Sequence, residues 1–283
     1  VTAFAITDSE AGELKPLNTV SSHGGSPCHL VASPGGKSLF VANYHGATVG
    51  VIGLQPDGSL GDSLGVMRHE GSSVKKPRQA VPHPHAVNLD PAGKHLFVAD
   101  LGMDRIVKYL VREDGSLEAT GEGAKIAPGS GPRHFAFRPD GKFGYVINEM
   151  TRTITAFSYQ AATGTLKEIQ TISTVPEGWD KGSTAELVAH PGGRFLYGSN
   201  RGHDSIAAYA IAPDSGRLTL VGIEKTGGQS PRNFNLDPSG RFLIAANRNT
   251  SDIHVFSVDP DSGALEPEAG RLEVPNPVCV LFL

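Results

Sequence analysis

The sequence predicts an all-β protein of the β-propeller class, built from repeated four-stranded antiparallel blades. Its 35 glycines and 20 prolines are scattered along 283 residues, and turn signals spaced by about 8–12 residues are typical of all-β chains. No segment carries an apolar stripe at helical spacing with capping residues. One hairpin design recurs five times, and four-stranded units repeated around an axis form a propeller.

The recurring hairpin has a Pro-x-Gly turn between two short apolar strands. The turn prolines are 47 to 57 residues apart, which fits one four-stranded blade. A third strand is predicted to begin six residues after the Asn or Asp that ends the second, and a Gly-x-Leu turn leads to the fourth. The five hairpins are HLVASPGGKSLFVAN, AVNLDPAGKHLFVAD, HFAFRPDGKFGYVIN, ELVAHPGGRFLYGSN and NFNLDPSGRFLIAAN.

The two ends of the chain are predicted to share one blade. The N-terminal VTAFAITDSEAGEL has the pattern of third and fourth strands, and the C-terminal PNPVCVLFL has that of a first strand. We therefore expect a single domain over residues 1–283, with its ring closed by a strand at 275–283. A second strand for that blade is missing, so either one of six blades is thin or the natural chain extends further at its N-terminus. The second explanation is favoured.

Composition excludes several classes of partner. The net charge is -4 and no basic run is present, which argues against nucleic acid. No apolar run approaches the roughly 20 residues of a membrane span, and no signal peptide is evident, so a cytoplasmic location is expected. Cys28 and Cys279 lie in apolar strand-like segments without CxxC spacing, which predicts two reduced thiols in the core.

Residues that differ between the hairpins gather at the blade end opposite the Pro-x-Gly turns. The start of the first strand and the end of the second share that face. The slots four and two before each proline are apolar and predicted to be core, beginning with Leu30. Three slots vary: six before the proline, five before it, and directly after the terminal Asn or Asp. They hold, in that order, Cys28, His85, Arg133, Ala185 and Arg232; His29, Ala86, His134, Glu186 and Asn233; and Tyr44, Leu101, Glu149, Arg201 and Arg248.

The chemistry of these slots favours a site for an anionic small molecule. Guanidinium groups bind carboxylate or phosphate in a bidentate manner, and Glu149 and His85 are candidates for proton transfer. The alternative for Arg133, Arg201 and Arg248 is an interblade salt bridge. The terminal Asn and Asp residues are expected to hydrogen-bond the following turn. His83-Pro84-His85 could suggest a metal pair, but no third ligand is evident from spacing, so no metal or cofactor is predicted.

Several segments resemble the lactonase family of seven-bladed propellers. They are PHPHAVNLDPAGKHLFVADLGMDRI, GPRHFAFRPDGKFGYVINEMTRTITAFSY, SNRGHDSI and SPRNFNLDPSGRFLIAANRNTSDIHVFSVD. The family includes cyclase-type bacterial 6-phosphogluconolactonases and fungal 3-carboxy-cis,cis-muconate lactonizing enzymes. The resemblance implies seven blades, of which about one is absent at the N-terminus. It also implies a catalytic set of His85, Arg133, Glu149 and Arg201. His134 adjoins this set and, with Arg232 and Arg248 from the variable slots, is a substrate-binding candidate.

The resemblance implies a hydrolase of carbohydrate metabolism. Its expected reaction converts 6-phospho-D-glucono-1,5-lactone to 6-phosphogluconate in the pentose phosphate pathway. Glu149, or His85 if neighbouring arginines keep Glu149 too acidic, would act as general base. Arg133 would stabilise the oxyanion, and Arg201, with Arg232 or Arg248, would hold the phosphate. Two alternatives remain, muconate lactonization by the same side chains and a non-catalytic propeller that binds protein partners.

Overall fold

All regular secondary structure in the computed structural model, which describes residues 1–282, is β-strand. The prediction of an all-β chain is therefore confirmed. No helix long and apolar enough to cross a membrane occurs in the described part of the chain. Each of the five repeats predicted from the sequence forms one four-stranded antiparallel sheet whose strands follow chain order, as expected for the blades of a propeller. The chain divides into two compact units, Val1–Pro128 and the part from Gly129 onward.

The first unit contains a two-stranded sheet and two four-stranded sheets. The segment predicted as third and fourth strands of a blade forms the two-stranded sheet, β1 and β2. Sheet I comprises β3 to β6 and sheet II comprises β7 to β10. The strands are β1 (Thr2–Asp8), β2 (Glu13–Thr19), β3 (Pro27–Ala32), β4 (Ser38–Asn43), β5 (Thr48–Leu54), β6 (Leu60–Arg68), β7 (Pro84–Leu89), β8 (His95–Asp100), β9 (Arg105–Val111) and β10 (Leu117–Lys125).

The second unit contains three four-stranded sheets, numbered III to V. The first strand of each sheet packs beside the first strand of the next, so that β11, β15 and β19 are successive neighbours. The strands are β11 (Pro132–Phe137), β12 (Phe143–Asn148), β13 (Thr153–Gln160), β14 (Thr165–Ser173), β15 (Ser183–Ala189), β16 (Phe195–Arg201), β17 (Ser205–Ile211), β18 (Leu218–Lys225), β19 (Pro231–Leu236), β20 (Phe242–Asn247), β21 (Asp252–Val258) and β22 (Leu265–Glu273).

The core lies between neighbouring sheets within each unit. Second strands are its centre, and every residue of β4, β8 and β12 is buried. The predicted core slot four residues before each proline is buried in sheets II to V, but Leu30 in sheet I is 51% exposed. Leu30 belongs to β3, whose residues are all exposed or only partly buried. Both cysteines are thiols but exposed, so the prediction that they lie in the core is wrong.

Hydrogen bonds tie neighbouring sheets together at both ends. At the turn end, a hydroxyl on the second strand of one sheet donates to the glycine carbonyl of the Gly-x-Leu turn in the next sheet. At the other end, the recurring Asn binds the segment that enters its sheet: Asn43, Asn200 and Asn247 donate to the carbonyls of Ser22, Thr174 and Thr226. The turn-end pairs are Ser38 with Gly115, Tyr145 with Gly216 and Tyr197 with Gly263.

The recurring Asn also bonds the turn that follows it, as the sequence predicted. In sheets I, III and IV its amide donates to a hydroxyl five residues later, on Thr48, Thr153 and Ser205. In sheet II an aspartate takes the place of the asparagine. Asp100 Oδ2 lies 2.6 Å from His69 Nδ1, and His69 Nε2 lies 2.9 Å from the Tyr109 hydroxyl.

The C-terminal segment does not form the regular strand predicted at 275–283. Residues 275–282 have no strand assignment, and residue 283 lies outside the described residues. The segment nevertheless runs beside β19, because the Val280 amide donates to Asn233 Oδ1 at 2.7 Å and its carbonyl accepts from Asn235 Nδ2 at 3.2 Å. Side-chain amides thus replace the backbone ladder that a regular strand would need.

Candidate functional site

A β-bulge occupies the most variable slot of the hairpins. In each sheet the first strand carries one extra residue relative to the second, just after the strand begins. Bulges re-aim side chains and are frequent beside active sites. The residue six before the proline therefore lies outside the regular alternation of the strand. The bulged residues include Cys28 in sheet I, His85 in sheet II, Arg133 in sheet III and Arg232 in sheet V.

Two arginines of the second unit converge on one carboxylate oxygen. Arg133 Nε donates to Glu149 Oε2 at 3.1 Å, and Arg201 Nη2 lies 3.0 Å from the same oxygen. Arg133 is the second residue of β11 and Glu149 directly follows β12, so both belong to sheet III. Arg201 is the last residue of β16 in sheet IV. The interblade ion pair considered for Arg201 is therefore present. The same contact also brings together three of the four residues predicted as catalytic.

Backbone carbonyls of β15 hold both guanidinium groups in place. Arg133 Nη1 donates to the Ala185 carbonyl at 2.7 Å, and Arg201 Nη2 donates to the Thr184 carbonyl at 2.6 Å. The Glu149 amide donates to Gly131 at 2.7 Å, which fixes the backbone beside the carboxylate. By contrast, Arg201 Nε is buried and has no hydrogen-bond partner in the described part of the chain. A buried guanidinium N–H without an acceptor costs free energy, so this donor is suited to an anionic ligand.

Arg133 remains a cation at neutral pH although it is buried. Burial lowers its pKa to about 10, and the charges of Arg201 and Arg232 act in the same direction, while Glu149 and Glu186 oppose them. The side chain of Arg133 is 3% exposed and that of Arg201 is 17% exposed. Arg201 is thus the more accessible of the two, and Arg133 lies deeper.

Beside this cluster, His134 forms a buried pair with Glu186. His134 Nδ1 lies 2.5 Å from Glu186 Oε1, and the Leu187 amide donates to the same oxygen at 3.0 Å. The Asn233 side-chain amide donates to the other oxygen, Oε2. His134, Glu186 and Asn233 occupy the same hairpin slot in β11, β15 and β19, so three neighbouring first strands contribute one residue each.

The pKa values of His134 and Glu186 are both lowered, which favours an uncharged imidazole beside an ionised carboxylate. Burial lowers the pKa of His134, and Arg133 and Arg232 lower it further, against the raising effect of Glu186. Burial alone would raise the pKa of Glu186, but His134, Arg133 and the Leu187 amide hold it below its usual value. The pair is therefore a neutral imidazole and an ionised carboxylate, with the Nδ1 proton donated to Glu186.

Glu186 and Asn233 are not among the functional residues predicted from the sequence. Both stand in the variable slot five residues before the proline, where a histidine, a glutamate and an asparagine follow one another in three consecutive repeats. That succession was the available signal. Its meaning depends on the adjacency of β11, β15 and β19, which hairpin alignment alone does not give.

The remaining predicted residues are placed differently from one another. Arg232 bulges from β19, half-buried, and its charge reaches Arg133 and His134. Arg248 is exposed, and no ion pair or side-chain hydrogen bond is found for it within residues 1–282. His85 belongs to the first unit, where it is buried and packs edge-on against Tyr44 at 5.6 Å between ring centroids. The sequence prediction that His85 joins the catalytic set stays a prediction.

His83, the other half of the His-Pro-His motif, is occupied by a stacking contact. Its ring lies parallel to that of Tyr44, with centroids 4.3 Å apart, and its Nδ1 is 2.9 Å from the Tyr44 carbonyl. Arg78 covers the Tyr44 ring, with 5.4 Å from its Cζ to the centroid. No group of three or more potential metal-ligating side chains occurs among the described residues.

A Gly-x-Ser-x-Gly run at residues 61–65 does not form a nucleophile elbow. Such an elbow places the serine on a sharp strand-to-helix turn. Ser63 instead lies inside β6, is exposed and pairs with Ile52 of β5. The serine thus lacks the geometry that activates a hydrolase nucleophile.

The fold and this arginine, glutamate and histidine cluster define a β-propeller with a polar site formed where first strands begin and second strands end. A family model described as "Lactonase, 7-bladed beta-propeller" matches residues 1–282. The chain therefore belongs to the lactonase family of seven-bladed β-propellers. This membership confirms the resemblance inferred from the sequence.

Individual relatives agree with the family match. The 6-phosphogluconolactonase of Bacillus subtilis is 37% identical over 284 residues, which cover 100% of this chain and 80% of that protein. A solved structure from Lactobacillus plantarum is 32% identical with a TM-score of 0.93, covering 100% of this chain and 81% of that one. The periplasmic gluconolactonase of Pseudomonas aeruginosa is 33% identical with a TM-score of 0.91, covering 98% and 78%.

Proposed function

We propose that this protein is a lactonase that hydrolyses 6-phospho-D-glucono-1,5-lactone to 6-phosphogluconate, a step of the pentose phosphate pathway. The observation that carries the proposal is the convergence of Arg133 and Arg201 on Glu149, with the buried Arg201 Nε left without an acceptor. Such a donor suits a phosphate or carboxylate oxygen. The name of the B. subtilis relative supports the choice of a phosphorylated sugar lactone.

The charges of the cluster suit an anionic substrate. Arg133, Arg201 and Arg232 supply three positive charges against the two carboxylates Glu149 and Glu186, so the site keeps an excess positive charge. We assign the phosphate to Arg201 and Arg232, the more accessible guanidinium groups. Arg133 is assigned to the oxyanion of the tetrahedral intermediate, where a positioned donor contributes about 3 kcal/mol. Arg248 stays a proposed outer contact for the phosphate.

The two proposed bases are not equally supported. Glu149 Oε2 contacts both Arg133 and Arg201, and two guanidinium groups stabilise the ionised carboxylate at the expense of its protonated form. We therefore assign Glu149 to holding the two arginines rather than to proton transfer. His85 is retained as a member of the site on the family resemblance alone.

A second candidate substrate is glucono-1,5-lactone without the phosphate. It is favoured by the P. aeruginosa neighbour, which is described as a periplasmic gluconolactonase. The name of this neighbour places it in the periplasm. For the present protein we propose a cytoplasmic location, because the proposed reaction belongs to the pentose phosphate pathway. Both substrates require the same ester hydrolysis and differ in whether Arg201 and Arg232 meet an anion.

The test is a pH-stat assay of both lactones, with the spontaneous rate subtracted. We expect catalysed hydrolysis of both rings and a higher kcat/KM for the phosphorylated one. Equal values for the two lactones would overturn the phosphate assignment while leaving the lactonase. Cyclization of 3-carboxy-cis,cis-muconate without lactone hydrolysis would replace the proposal with the lactonizing reaction, and inactivity on all three compounds would favour a binding module.

A further inference from the structure

We propose that His134 is the general base that activates the hydrolytic water, and that Glu186 is the residue that positions it. The inference rests on the proposed lactonase function and deepens it. It moves proton transfer from Glu149 to a neutral histidine whose partner is a carboxylate. His134 was expected only to bind substrate, and Glu186 had no expected role.

The geometry fixes which ring nitrogen is basic. Glu186 Oε1 lies 2.5 Å from His134 Nδ1, and an ionised carboxylate can only accept a hydrogen bond. Nδ1 must therefore carry the proton, which leaves the lone pair on Nε2. A histidine held in one tautomer by a buried carboxylate is the arrangement that hydrolases use to take a proton from a nucleophile and return it to a leaving group.

Glu186 is itself held rigidly enough to orient the ring. The Leu187 amide and the Asn233 side chain each donate to its carboxylate, while the Glu186 amide donates to Ser199 Oγ at 3.0 Å. The carboxylate is thus held from β15 and β19, the backbone of Glu186 is held from β16, and His134 reaches the carboxylate from β11. Four strands determine the position of one imidazole, a degree of fixation expected of a group that must align with water.

The charged groups around His134 decide how strongly it holds a proton. Glu186 faces it from β15 and stabilises the imidazolium, whereas Arg133 on its own strand and Arg232 on β19 destabilise it. Partial burial of the thiol and, after it, the negative charge of Glu186 raise the pKa of Cys279 in the C-terminal segment, which keeps this thiol neutral. The imidazole is thus uncharged at neutral pH, with its proton on Nδ1 and none on Nε2, and Glu186 offsets part of the cost when Nε2 gains one.

The reaction can be written with all protons accounted for. His134 Nε2 takes a proton from water as the water oxygen bonds to C1 of the lactone, and the carbonyl electrons move to the oxygen beside Arg133. The carbonyl then re-forms, the bond from C1 to the ring oxygen breaks, and the imidazolium returns its proton to that oxygen. The products are a hydroxyl group and a carboxylic acid, which releases its proton to solvent.

The first test measures the tautomer in the unmodified protein. Nitrogen-15 NMR of the imidazole side chains separates the Nδ1–H from the Nε2–H form, and backbone correlations assign the signals of His134. We expect Nδ1 protonated and Nε2 unprotonated at pH 7.5. An Nε2–H tautomer, or a doubly protonated ring at that pH, overturns the proposal. This readout needs neither a variant nor a substrate.

The second test compares the pH dependence of kcat/KM in the wild type and in Glu186→Gln. The carboxylate stabilises the imidazolium, so its removal lowers the pKa of His134. The acidic limb of the profile should move to lower pH by about 1–3 units, and the plateau should fall because the ring is less well oriented. His134→Asn, which keeps an N–H for Glu186 but has no basic nitrogen, should lose roughly 10²–10⁴-fold in kcat.

Asp90→Asn is the matched control. His95 and Asp90 form another buried histidine–carboxylate pair, 3.2 Å apart, at the turn between β7 and β8. Its neutralisation should leave the acidic limb in place. A limb that does not move in Glu186→Gln, or full activity in His134→Asn, overturns the role of His134 alone. Absence of catalysed hydrolysis in the wild type overturns the proposed function itself.

Discussion

At the scale of single residues, two buried glutamates 37 positions apart in the chain receive different chemistry from their partners. Glu149 is 7% exposed and contacts two guanidinium groups, whereas Glu186, equally buried, contacts an imidazole and an amide. Partners with a permanent charge fix Glu149 as an anion that organises arginines. The partner of Glu186 is the titratable His134, so Glu186 can stabilise the imidazolium that forms when His134 gains a proton. Environment therefore separates the two roles, although the residue type is the same.

Arg201→Lys tests the assignment of the phosphate at this scale. Lysine keeps the charge beside Glu149 but lacks the Nε donor and the planar fork. A charge-assisted hydrogen bond contributes about 1.5–3 kcal/mol, so KM for the phosphorylated lactone should rise roughly 10- to 100-fold. Steady-state kinetics on both lactones checks this, and kcat for either should change by only a few-fold.

The control for Arg201→Lys is Arg112→Lys, directly after β9 of sheet II. Arg112 pairs with Glu118 at 3.2 Å, with both side chains about half exposed, and exposed pairs contribute little. Its kinetics should match those of the wild type. An equal loss on the phosphorylated and unphosphorylated lactones in Arg201→Lys would show that Arg201 acts on the ring or the ester rather than on the phosphate.

At the scale of single elements, the first strand of a blade contributes both to the core and to the candidate site. In sheets II to V its regular part packs apolar side chains between sheets, and in every four-stranded sheet its bulge turns one residue out of that alternation. Sequence alignment predicted the strands, the turns and the variable slot, because apolar alternation and turn residues are local signals. The bulge was not predictable from the sequence. One extra residue at Arg133 shifts the pairing of β11 with β12, but the order of apolar and polar residues around Arg133 does not reveal this shift.

Because the sequence carries local signals but not the adjacency of distant strands, some site residues could be predicted and others could not. Arg133, Glu149 and Arg201 stood out because each is a charged residue in a slot that other repeats fill differently. The Glu186 contact was missed because it depends on which first strands are neighbours, a long-range property. Leu30 is a local prediction that failed. The equivalent residue is buried in the other four repeats, yet Leu30 lies in β3, which is largely exposed.

Tyr145→Phe and Tyr197→Phe test the ties between neighbouring blades. Each change removes only the hydroxyl that donates to a glycine carbonyl of the next sheet, at 3.1 and 2.9 Å. Phenylalanine already stands at the equivalent place in β8, as Phe97. Each substitution should lower the free energy of unfolding by about 1–2 kcal/mol, since a buried carbonyl loses its donor. Urea denaturation measures it.

The double variant provides the check on this interpretation. Tyr145 and Tyr197 belong to different clusters of buried apolar residues, so their effects should add within about 0.5 kcal/mol. A double variant no less stable than either single variant would contradict the view that each hydroxyl ties its own pair of sheets. Lactone hydrolysis should be unchanged throughout, because both tyrosines lie at the turn end of their blades.

At the scale of the whole molecule, one blade design repeats through both compact units. Ser38 in the first unit makes the same tie to a Gly-x-Leu turn that Tyr145 and Tyr197 make in the second. The residue four positions after each terminal Asn or Asp has a positive φ of 52–56° in all five sheets, although none is glycine. The repeat is thus expressed in backbone conformation as well as in sequence, and the family match spans residues 1–282 without a break.

Scanning calorimetry tests the sequence prediction of a single domain over residues 1–283. A single domain should unfold in one transition whose calorimetric and van't Hoff enthalpies agree. Saturating 6-phosphogluconate, the proposed product, should move that whole transition upward, since a ligand at 100 times its Kd adds about 2.7 kcal/mol of stability. Arg201→Lys should lose much of this shift at the same ligand concentration. Two transitions, of which 6-phosphogluconate moves only one, would contradict the single domain and make the two compact units independent folding units.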